Sequence, residues 1–118
     1  MNRRTGTTSS FRHAFRGIFT ALRSEPNARI HLAATAAVIA AACYFRCSPG
    51  EWAVLVIATG SVWTAELLNT AIEKSMDLLH PDHHPLVKNI KDMAAGAVLI
   101  AAIAAVVAAG CIFLPKML

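Results

Sequence analysis

Apolar residues recur at Phe11, Ala14, Phe15, Ile18, Phe19 and Leu22, the i, i+3, i+4, i+7, i+8, i+11 series of one helical stripe. Arg12, His13, Arg16 and Arg23 fall off that stripe or at its border. With Ser9 or Ser10 as cap, the pattern predicts a helix over 10–24 behind a polar, flexible tail at 1–9. Glu25-Pro26 then breaks it, because proline removes a backbone donor and restricts the residue before it. Beyond the break the polar face disappears. Long apolar runs predict helices over 28–45, 51–79 and 92–114, separated by a turn at Arg46–Gly50 and a loop at 80–91 (HPDHHPLVKNIK). The predicted fold class is all-α and integral to the membrane. Three transmembrane helices follow an amphipathic surface helix that lies in the interface plane.

Composition narrows the choice further. The chain has 118 residues, 56% hydrophobic and only 15% charged, against roughly 45–50% and about 25% for soluble domains. A soluble fold this short cannot hide so much apolar surface, and a disordered chain would carry far less of it. One domain spanning 1–118 is expected. The formal charge is +4, and six of the eleven Lys and Arg (Arg3, Arg4, Arg12, Arg16, Arg23, Arg29) precede the first long apolar run. Basic residues at that position anchor a cytoplasmic edge to anionic lipid, and they do not imply nucleic acid. Lys88 and Lys91 in the second loop agree, giving an inside amino terminus and an outside carboxyl terminus. Cys43, Cys47 and Cys111 make an odd count with no metal-ligand spacing.

Chemistry concentrates on the second span. Of seven acidic residues, three (Glu66, Glu73, Asp77) lie there beyond its first turn, joined by Asn69. At 100° per residue these four occupy an arc of ~80° on one face. An acid in a span costs about 2.5–3.5 kcal/mol, so a cluster of them points to function. Snorkelling at the interface suits Asp77 but not Glu66, which sits three turns inside the apolar pattern. From Trp52 the helix rises ~21 Å before Glu66, which places that residue in the cytoplasmic half, with Glu73 and Asp77 at headgroup level. Carboxylates and an amide there form a hard oxygen site of the kind that holds Mg²⁺ with substrate phosphates. Lys91 and Asp92 add a cation and another acid, and Glu25 faces the same leaflet. Phosphoryl transfer asks for such parts. His80, His83 and His84 lack a helical i, i+4 frame, which favours nucleotide contact or solvation over zinc. No Walker A, glycine-rich kinase loop or GxSxG is present. A proton-coupled transporter would need polar groups across the whole membrane, and a non-catalytic adaptor would not need the polar face at all.

The block Glu66-Leu-Leu-Asn69-Thr70-Ala71-Ile72-Glu73, then Asp77, then Lys91-Asp92-Met-Ala-Ala-Gly96 resembles the prokaryotic diacylglycerol kinase family, which includes undecaprenol kinases. The segment Glu25-Pro-Asn27-Ala-Arg29-Ile30-His31 looks more like the undecaprenol-kinase branch. The resemblance implies a bacterial inner-membrane homotrimer with active sites shared between protomers. It implies ATP with Mg²⁺ as phosphoryl donor and a lipid alcohol, undecaprenol or diacylglycerol, as acceptor. By position, Glu66 would be the general base and Asn69 would position substrate or base. Glu25 and Glu73 would hold the metal and nucleotide, Lys91 and Asp92 would act at the phosphates, and Asp82, His83 and His84 would line the nucleotide side. His13 departs from the tyrosine that some members carry beside the nucleotide. Small residues at Ala94–Ala97 would allow the close helix approach that a trimer needs.

Overall fold

Proline opens three of the four helices found among the described residues. In a computed structural model that describes residues 6–118, α1 spans Thr7–Ser24, α2 Pro26–Tyr44, α3 Pro49–Leu79 and α4 Pro85–Met117. Pro26, Pro49 and Pro85 each stand in a first turn, where the missing N–H has no partner to lose and the fixed φ already suits a helix.

These boundaries correct the expected ones. The N-cap of α1 is Gly6, with no side-chain cap bond, so Ser9 and Ser10 lie inside the helix and Thr7–Ser9 leave the predicted tail. The first five residues of that tail lie outside the described residues. Helices α2 and α3 each begin two residues earlier than predicted, at their prolines, and α2 ends at Tyr44. The largest difference is in α4, which starts at Pro85 instead of Asp92 and continues to Met117. Hydropathy marks where a helix enters apolar surroundings, whereas Pro85 and the helix-compatible Leu-Val-Lys-Asn-Ile-Lys run set where it starts. The 80–91 loop therefore shrinks to His80–His84.

The connections are tied by the chain's own polar groups. Arg29, one turn into α2, reaches back to the end of α1, donating from Nε to the Leu22 carbonyl (3.2 Å) and from Nη2 to the Arg23 carbonyl (2.7 Å). It thus satisfies carbonyls that a helix end leaves open, as a cation there should. At the other end of α2 the amides of Cys47 and Arg46 donate to the carbonyls of Ala42 (3.0 Å) and Cys43 (3.3 Å). This is a Schellman turn, with Arg46 at φ 52° in the left-handed position that usually falls to glycine. Two residues later Ser48 and Glu51 form a reciprocal capping box. Glu51 also meets Lys116 at 3.0 Å, fastening the start of α3 to the end of α4.

The antiparallel α3–α4 pair is the frame; α1 and α2 touch it more lightly, and α2 does not pack along α4. Ring contact between Phe45 and Phe113, at 5.9 Å, brings the ends of α2 and α4 together. The extents are 51 × 40 × 21 Å and the radius of gyration is 17.3 Å, well above the ~13.5 Å of a compact globule of this length. The buried apolar residues are mostly small: Ala21, Ala28, Ala42 and Ala94, with Leu55, Val62 and Val87. Large ones such as Ile57, Ile100 and Val106 face outward, an apolar exterior that water would not tolerate. Helices α3 and α4 are long and apolar enough to cross a bilayer. Asn27, Arg29 and His31 lower the hydropathy of α2, which does not reach the same standard.

Candidate active site

One face of α3 is buried where the rest of the helix is exposed or partly so. Glu66 (4% exposed), Asn69 (9%) and Thr70 (7%) are its buried polar residues, and their three- and four-residue spacing is what aligns them. Polar groups so placed need partners. For Glu66 the partner is His31 of α2, whose Nε2 lies 3.3 Å from Oε2. Asn69 donates from Nδ2 to Glu73 Oε1 (3.2 Å), one turn further on. Its own Oδ1 is buried without a hydrogen-bond partner.

The elbow between α1 and α2 comes to this same level. Glu25 stands at the N-cap position of α2, yet its carboxylate does not cap. It lies instead 3.8 Å from Lys74 Nζ, and Lys74 also donates to Ser24 Oγ (3.4 Å). Lys74 is the next residue after Glu73, so Glu25 is carried to the height of Glu73 along α3. Both acids and the amide oxygen of Asn69 are hard donors, suited to Mg²⁺ rather than to a softer metal. No group of three or more His, Cys, Asp or Glu converges among the described residues. His13 lines a cleft between α1 and α3 together with Thr70 and Lys74.

A second cluster lies beyond the end of α3. Asp77, Asp82, His83, His84 and Lys91 line one basin of ≈ 400 Å³, joined by His80 and Lys88. Lys91 pairs with Asp77 across the hairpin. Asp92 does not line the basin; it pairs with Lys88 at 2.7 Å, one turn back on the same helix. His84 has a structural duty too, since its Nδ1 accepts the Leu86 amide (3.1 Å) and so caps α4. The structure thus divides the expected residues into Glu25, Glu66, Asn69 and Glu73 beside the buried face, and Asp77, Asp82, His83, His84 and Lys91 around the basin. Sequence reasoning gave no place in the site to His31, Lys88 or Thr70. An ionisable histidine within an apolar run was the available signal for the first of these.

The long helix α3 thus carries one buried acid, Glu66, and ends beside a basin of histidines and lysines. Residues 12–113 match the prokaryotic diacylglycerol kinase family. The chain is 44% identical over 108 residues to an undecaprenol kinase of Bacillus subtilis, covering 92% of this chain and 88% of the relative. It is 46% identical over 110 residues to a diacylglycerol kinase of Synechocystis, covering 92% of this chain and 63% of that longer protein. Against a diacylglycerol kinase of Escherichia coli it is 31% identical over 109 residues, covering 90% and 89%. The chain belongs to the prokaryotic diacylglycerol kinase family, on the side that includes undecaprenol kinases. It is a lipid kinase of the bacterial membrane.

Proposed function

We propose that the protein transfers the γ-phosphoryl group of ATP to the primary hydroxyl of a membrane lipid alcohol, undecaprenol or diacylglycerol, at the cytoplasmic leaflet of the inner membrane. The observation that carries this reading is the alignment of buried Glu66 and Asn69 with half-buried Glu73 on one face of α3, in a chain of this family. Glu66, deepest of the three, takes the proton of the lipid hydroxyl as its oxygen bonds to the γ-phosphorus. The bond from that phosphorus to the β,γ-bridging oxygen breaks, and ADP leaves. Asn69 holds Glu73 in place through its Nδ2, and its buried Oδ1 is left without a partner. Glu25 and Glu73 would hold Mg²⁺, which when bound neutralises charge on the phosphate oxygens. Lys91 supplies a cation at the phosphates. Asp82, His83 and His84 border the nucleotide, and Asp92 orients Lys88 beside it.

Three spans, α2 to α4, carry the chain through the bilayer, with α1 lying on the inner surface and its Phe11, Phe15 and Phe19 (all exposed) turned toward lipid. The open shape and outward-facing apolar residues support completion of the site in a homotrimer. The test is incubation of purified protein with labelled ATP, Mg²⁺ and a panel of lipid alcohols in detergent and in bilayers. Label should pass to undecaprenol or diacylglycerol and not to water-soluble alcohols. Dye transport driven by a pH gradient, with no lipid phosphorylated, would overturn the reading.

A further inference from the structure

We infer that His31 is a positioning residue for Glu66, an inference that rests on the proposed role of Glu66 as base. A carboxylate that is 4% exposed requires a polar neighbour, and His31 Nε2 at 3.3 Å from Oε2 provides it. That contact anchors one carboxylate oxygen and leaves Oε1 to meet the lipid hydroxyl.

A second aromatic residue and a hydroxyl stand around His31 as well. The ring of Trp63 stands edge-on to it, 6.2 Å between centroids at 61°. Trp63 donates from Nε1 to Thr35 Oγ1 (2.8 Å), and Thr35 Oγ1 in turn donates to the carbonyl of His31 (2.7 Å). His31 and Thr35 are one turn apart on α2; Trp63 and Glu66 are one turn apart on α3. The four residues therefore close a circuit between two helices that otherwise touch lightly. Among the described residues, Trp63–Thr35 and His31–Glu66 are the polar side-chain links between α2 and α3. If the circuit opens, the direction of the Glu66 carboxylate is set by nothing else on α2. A general base works only within hydrogen-bond reach of its proton, and a misplacement of about 1 Å costs on the order of 100-fold in rate.

The test compares His31→Phe, His31→Gln, Trp63→Phe and Glu66→Gln in the purified full-length protein, with ATP and whichever lipid alcohol the wild type phosphorylates. Phenylalanine keeps a ring against Trp63 and removes the nitrogen; glutamine keeps a polar nitrogen and removes the ring. His31→Phe should lower kcat about 10- to 100-fold with the KM for ATP unchanged, and His31→Gln should recover most of that loss. Trp63→Phe, which cuts the bond to Thr35, should fall between. Wild-type kcat in His31→Phe, or a His31→Gln protein no faster than His31→Phe, would overturn the inference. Should His31→Phe fail to elute like the wild type, the kcat of Trp63→Phe decides: wild-type kcat there overturns it equally. An active Glu66→Gln protein would instead remove the base role itself, whereas an inactive one beside a fully active His31→Phe would remove only the role of His31.

Discussion

Replacing Glu66 with glutamine keeps the side chain's size and removes its capacity to take a proton. Two consequences of opposite sign follow from where the residue sits. General-base catalysis contributes about 10²–10⁴-fold, so kcat for lipid phosphorylation should fall by that factor, while ATP, bound by other residues, should keep its KM. Stability should move the other way. Glu66 is 4% exposed on a helix long enough to span a bilayer, where an acid costs about 2.5–3.5 kcal/mol. The contact with His31 offsets part of that cost, leaving an expected gain of up to about 2 kcal/mol on substitution. The assays are label transfer from ATP to lipid and thermal unfolding in detergent, on the same preparation. A protein with less than a tenfold loss of kcat would refute the base assignment. One that loses activity and melts well below the wild type would show that the carboxylate holds the bundle together.

Three further outcomes are expected. Glu73→Ala should raise the Mg²⁺ concentration needed for half-maximal rate by about tenfold or more, read by metal titration; an unchanged titration removes Glu73 from the metal's neighbours. Lys91→Met should raise the KM for ATP while leaving that for lipid near its wild-type value, and an equal rise in both would contradict a role at the phosphates. Arg46→Gly should stabilise the protein by about 1 kcal/mol without changing kcat, because the left-handed conformation at φ 52° strains any residue with a Cβ; unfolding temperature and activity check the two halves.

The helices were legible because their apolar runs are long and their breaks carry proline. What hydropathy could not show was where polar residues continue a helix into headgroup territory. Lys88, Asn89 and Lys91 read as loop but stand in the first turns of α4. The acidic face of α3 was legible for a different reason: spacing alone fixes direction on a helix, so Glu66 and Asn69 had to share a face with Glu73. Contacts between helices are another matter. That Glu66 meets His31 depends on how α2 leans against α3, and no periodicity encodes that.

Glu66 and Glu73 ride on one unbroken helix, and seven residues of α3 separate them by ~10.5 Å along its axis. For the proposed reaction this rod works as a depth gauge. The acceptor hydroxyl must settle a fixed distance beneath the phosphates, however long or branched the hydrocarbon attached to it. Selection of this kind is strict about where an alcohol rests in the leaflet and lenient about its tail. A longer or shorter headgroup linker should therefore disturb turnover more than a change of chain.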